Sequence, residues 1–121
     1  MPKIIEKPTL IEAAGVIPKR IEEYIGRVNS GHGRVSIARM TSPAGWDEPF
    51  QTPDFEEITL VLNGTLRVEY PGGLLDVCAN QAIIVSPGER VRYSTPGKEG
   101  AQYISVCLPA FSLETVHREV V

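Results

Sequence analysis

Glu57 opens the run "EITLVL" (57–62), a carboxylate at the head of an otherwise β-branched and aliphatic segment. A side-chain period of two puts Glu57, Thr59 and Val61 on one face and Ile58, Leu60 and Leu62 on the other. A carboxylate carried into an apolar interior must find hydrogen-bond partners or take up a proton. An apolar surround raises its pKa, which makes Glu57 a candidate general acid or base near neutral pH. The competing reading is a strut, held in place by an arginine or a tyrosine. Arg39, on the preceding predicted strand, is the most natural cation to bind Glu57 or an anionic ligand. Tyr24 and Tyr103 carry hydroxyls that could donate into a cavity, and each fits ordinary strand core equally well.

The elements that must position these groups are short. Ten prolines and eleven glycines in 121 residues chop the chain into brief segments, which favours all-β over long helices. Thr9-x-x-Glu12 has capping-box spacing, so a helical turn is expected before Gly15. Strands are expected at 20–28, 34–41, 56–62, 65–70, 74–78, 81–86, 90–95 and 102–108. Asn63-Gly64 between two of them reads as a hairpin turn. Such spacing means a sandwich or barrel of one domain. Its parts are an N-terminal segment (1–33), a barrel (34–111) and a C-terminal tail (112–121).

Charge and composition narrow the function classes. The net charge is −3, and lysines and arginines are scattered with no basic stripe, so no nucleic-acid partner is expected. No apolar run approaches the roughly 20 residues of a membrane span, and Glu6 and Lys7 interrupt any signal-peptide core. A cytoplasmic protein without a membrane partner is the expectation. Cys78 and Cys107 have apolar neighbours and read as buried, unpaired thiols.

Two spaced patterns carry a family likeness. Gly45, five residues, Gln51-Thr52-Pro53, three residues, Glu57, six residues and Gly64 form the first. Asn80, five residues, Ser86-Pro87-Gly88, two residues, Val91, three residues and Thr95 form the second. Together they resemble the two motifs of the cupin superfamily, the RmlC-like jelly rolls, over about residues 34–111. The family's two glycines and glutamate stand in the first motif, but its three metal-ligand histidines are replaced by Gln51, Pro53 and Val91. In texture the chain is similar to the cupin of bacterial ethanolamine-utilisation operons (EutQ-like), which also lacks the histidines. The likeness implies a double-stranded β-helix with Glu57 and Gln51 facing its interior, and Asn80 in a left-handed conformation.

With one carboxylate, one amide oxygen and two residues without donors, no metal cofactor is expected. His32 and His117 lie in a loop and the tail and read as surface histidines. Three functions are open. One is a metal-independent cupin acting on or binding a small polar or carboxylated metabolite, with Glu57 as acid/base and Gln51, Arg39, Tyr24 and Tyr103 around the ligand. Another is a non-catalytic small-molecule-binding or assembly cupin. The third is a metalloenzyme with atypical ligands from Glu57, Gln51 and a histidine. The apolar outer face of the Glu57 strand further implies a homodimer.

Overall fold

A computed structural model describes residues 1–15 and 17–120; Val16 and Val121, the last residue of the expected tail, lie outside the described residues. The chain is nearly all β. The described residues form nine strands: β1 (Thr9–Ile11), β2 (Arg20–Ile25), β3 (Ser36–Ser42), β4 (Trp46–Asp47), β5 (Glu56–Tyr70), β6 (Gly73–Cys78), β7 (Ala82–Val85), β8 (Arg92–Thr95) and β9 (Ala101–Leu108). One short helix follows, α1 (Leu113–Val116), capped by the Ser112 side chain, which accepts from the Thr115 amide. The strands form one curled sheet in the order β1-β2-β3-β9-β5-β8-β4, with β6 and β7 also paired to β5. No helix among the described residues is long and apolar enough to cross a membrane.

The long strand β5 organises everything. Its first half pairs with β9 and β7, and its second half with β6 and β8, so one strand belongs to both walls of the curl. The Asn63-Gly64 hairpin is therefore not formed: both residues lie inside a continuous strand of 15 residues. The register slips between Val61 and Asn63, and Gly64 takes φ +75°. Positive φ serves a bulge that bends a strand as well as it serves a turn. A Cβ on Gly64 would meet the Gly100 carbonyl oxygen at 2.1 Å, so close backbone approach excludes any larger residue.

The expected N-terminal helical turn is also replaced. Thr9, Leu10 and Ile11 pair antiparallel with Glu23, Glu22 and Ile21. The Thr9 hydroxyl bonds Asn29 rather than a helix N-terminus. Asn80 does adopt φ +68°. Cys107 is buried but Cys78 is exposed, because β6 is an edge strand whose outward side chains meet solvent.

Alternation holds through β5 and β9. Val61, Leu66 and Val68 join Trp46, Val77, Val85, Val91, Tyr93, Ala101 and Tyr103 in one dry cluster. On the convex face Leu60, Leu62, Ile84 and Leu108 remain exposed.

Candidate acid–base site

Below the dry cluster, the concave face opens into a cavity of about 50 Å³. Glu57 lies on it. Its register partner on β9 is Cys107, and the diagonal neighbour Ser105 donates its hydroxyl to Glu57 Oε2 at 2.5 Å. Tyr93, from β8 on the opposite wall, donates to Oε1 at 3.2 Å. Two hydroxyls from two walls thus fix the carboxylate. Burial, with Glu57 beside it, pushes the Tyr93 hydroxyl pKa well up, so this group stays a donor.

The cavity holds a second carboxyl. Glu48 sits in the irregular segment after β4 and is 5% exposed. Burial raises its pKa to about 7, against the opposing pull of Lys19 and Arg118; Glu57 and Asp47 add a little to the rise. Lys19 Nζ stands 4.0 Å from Glu48 Oε1 and 4.1 Å from the centre of the Trp46 ring. The ammonium is therefore held between a carboxyl and an aromatic face. A third carboxyl, Glu23, also lines the cavity, but its Oε2 accepts from the Val28 and Asn29 amides and serves the loop after β2.

Three buried side-chain atoms here have no hydrogen-bond partner among the described residues: Glu48 Oε2, Gln51 Oε1 and Arg118 Nε. All three residues line this one cavity. Leaving such an atom without a partner costs about 1–3 kcal/mol, so three together mark a place prepared for polar contact. Gln51 is pinned by backbone bonds with Val91 in both directions, at 2.9 Å each, and by a bridge to Arg118 of the tail.

Glu57, Gln51 and Tyr103 thus share the cavity, whereas Arg39 and Tyr24 do not. Arg39 lies on the convex face, where Nη2 donates to the Tyr24 hydroxyl at 2.9 Å. An odd number of steps along β3 separates it from the inward Ala38, and alternation decides the matter. Tyr103 meets Ser42 at 2.9 Å, and burial raises its pKa. His32 bonds Ser30, and His117 bonds Asp54; both are exposed and away from the cavity.

Sequence reasoning missed Glu48, Lys19 and Arg118. They lie in segments with no periodicity, and only their charge beside aromatic or proline-rich stretches hinted at them. The donor set does not suit the divalent metal of the cupin motifs, since Pro53 and Val91 supply no ligand atom. Among the described residues no group of three His, Cys, Asp or Glu side chains is placed to hold one. Burial pushes the Cys107 thiol pKa upward, which leaves it an inert lining group.

No protein-family model matches the chain. A curated relative, the endoribonuclease YbeY of Myxococcus xanthus, is 41% identical over 101 residues. The match takes in 84% of this chain and 34% of that protein, so the chain spans about a third of its relative's length. That finding corrects the expectation of small-molecule binding: the sequence relative carries an endoribonuclease name, whereas the likeness to the ethanolamine-utilisation cupin is one of fold.

Solved structures speak to the fold. The polyketide cyclase RemF of Streptomyces resistomycificus superposes with a TM-score of 0.78 at 16% identity, over 100% of this chain and 87% of that one. An RmlC-like cupin of Shewanella frigidimarina gives 0.70 at 14% identity, over 89% of each. The ethanolamine utilization protein Q of Salmonella typhimurium gives 0.64 at 16% identity, over 87% and 98%. At such identities the likeness carries architecture alone, and on that ground the curled sheet with its inward glutamate is a cupin fold.

Proposed function

We propose that the protein is a metal-independent cupin module whose concave face performs acid–base work on a polar group of RNA. Glu57 is the proton-transfer residue, oriented by Tyr93 and Ser105, and Glu48 is its second carboxyl. The observation that carries this reading is the meeting of these two carboxyls in one cavity. Glu48, with a pKa of about 7, exchanges a proton readily at neutral pH. Two cationic and three carboxylate side chains line the cavity, so a neutral group suits it better than a carboxylated metabolite. RNA as the source of that group is supported by the name of the Myxococcus relative. The scattered lysines and arginines fit contact with one group rather than with a run of phosphates. The curl itself we read as the double-stranded β-helix of the cupins.

The test is conversion of a short single-stranded RNA by the wild type and by Glu57→Gln, with folding checked by circular dichroism. The expected result is a loss of about 100-fold or more in the variant. Equal conversion by both, or none by the wild type, contradicts the reading. The second outcome favours a non-catalytic module, for which the saturation of both Glu57 oxygens by hydroxyls is the specific support.

The convex face belongs to a second copy in this reading. Leu60, Leu62, Ile84 and Leu108 are exposed there, and Arg39 and Glu22, register neighbours at its margin, offer both charge signs to a two-fold partner. Light scattering at micromolar concentration should give a dimer mass; a monomer mass contradicts it.

A further inference from the structure

The three unpartnered atoms of the cavity form a pattern. Glu48 Oε2 and Gln51 Oε1 are acceptors, and Arg118 Nε is a donor. Glu48 is 5% and Gln51 4% exposed, so water outside the molecule does not satisfy them. A ligand that completes the set brings two donors and one acceptor. Its overall charge is constrained too: the cations Lys19 and Arg118 are offset by Glu23, Glu48 and Glu57, a balance that suits a neutral ligand. Its shape is constrained by volume, because about 50 Å³ admits the edge of one ring and not a whole nucleotide. Of the aromatic side chains in the lining, Phe55 is buried and Phe111 is half-buried. Phe111 and Phe55 both line the cavity and meet edge to face, with centroids 5.9 Å apart.

We infer that the cavity recognises the edge of a guanine-type base: a neutral, flat ring with adjacent N–H donors and a carbonyl oxygen. The two donors meet Glu48 and Gln51, and the carbonyl accepts from Arg118. The ring lies against the half-buried Phe111 while sugar and phosphate stay outside. This rests on the reading of the cavity as the working site, and it names what enters. Arg118 reaches the cavity from the C-terminal segment, tied down by the bond from the Glu119 amide to the Phe50 carbonyl at 2.8 Å. The tail is thus part of the recognition surface.

Binding is measured by isothermal titration of the whole chain with guanosine, inosine, adenosine, sodium acetate and a short RNA with one unpaired guanosine in a uridine background. Guanosine and the RNA should bind. Inosine, which lacks one amino donor, should bind about ten-fold or more weakly, and acetate should not compete. Binding by the RNA alone assigns the edge to a base within a chain; binding by both assigns it to the base itself. Glu48→Gln and Arg118→Met should each weaken guanosine about ten-fold with melting temperature retained. Arg118→Met changes a cavity residue carried by the tail and outside the strands, so it decides if Glu48→Gln does not fold. Acetate binding as tightly as guanosine, or equal affinity for guanosine and inosine, overturns the inference. So does unchanged guanosine affinity in folded Arg118→Met. Guanosine binding without RNA conversion by the wild type removes the catalytic reading and leaves this one standing.

Discussion

Beyond the bend at Asn63 and Gly64, β5 lays Leu66 and Val68 into a cluster with Trp46, Val77 and Tyr93, each 5% exposed or less. Before the bend the same strand lays Glu57 and Thr59 beside Ser105, Glu48 and Gln51. Both halves alternate with the same period, and Thr59, Glu48 and Gln51 are as buried as the apolar cluster. One end is filled with carbon; the other keeps three polar atoms without partners. A fold that needed only stability would close both ends alike, because paired apolar groups replace a half-satisfied polar cluster without loss. The polar end is therefore where the sequence spends stability on chemistry.

Substitutions at the two ends should separate these roles. The largest effect is expected at the dry end: Leu66→Ala should cost about 2–5 kcal/mol in urea unfolding, by lost burial and the cavity left behind. It should leave ligand affinity intact wherever the protein remains folded.

At the polar end the effect depends on pH. The folded pKa of Glu48 lies at about 7, above its ordinary value near 4.5, so the native state binds the extra proton between those limits. Stability should be fully present below about 4.5 and fall by on the order of 3 kcal/mol as pH rises through 7. Glu48→Gln should flatten that fall in melting temperatures taken across the window. An unchanged slope in the variant would assign it to another group.

Smaller still is Ser105→Ala, which removes the hydroxyl at Glu57 Oε2. It should cost about 1–2 kcal/mol, and RNA conversion should drop more than melting temperature does. If stability and activity fall in proportion, Ser105 is a strut and not a positioning residue.

Smallest for the fold is Leu60→Glu on the convex face, within about 0.5 kcal/mol for the monomer. Its measurable consequence should be loss of the dimer in light scattering.

The contrast between the two ends was only half legible in the sequence. Alternation placed Glu57, Thr59 and Val61 on one face, and the cupin spacing placed Gln51 beside them. Asn63-Gly64 misled because positive φ serves a hairpin and a bulge equally, and only pairing to β9 across the bend tells them apart. Thr9-x-x-Glu12 misled because a capping box is a local preference, whereas β2 offered Thr9–Ile11 a ladder of long-range bonds. Arg39 drew the anion-binding assignment by being a cation on the right strand, but its parity put it outside. Glu48, Lys19 and Arg118 are more than 25 residues apart in pairs or in separate loops, and no period connects them. Only the closing of the curl brings them to one cavity.

The central claim is that the polar end holds a working pair of carboxyls. Carbon-13 NMR titration of the Glu48 side-chain carboxyl in the whole protein tests it most directly. The account predicts a midpoint near 7, moving upward in Lys19→Met as the opposing ammonium is removed. A midpoint in the ordinary carboxylate range, unmoved by that substitution, would contradict it.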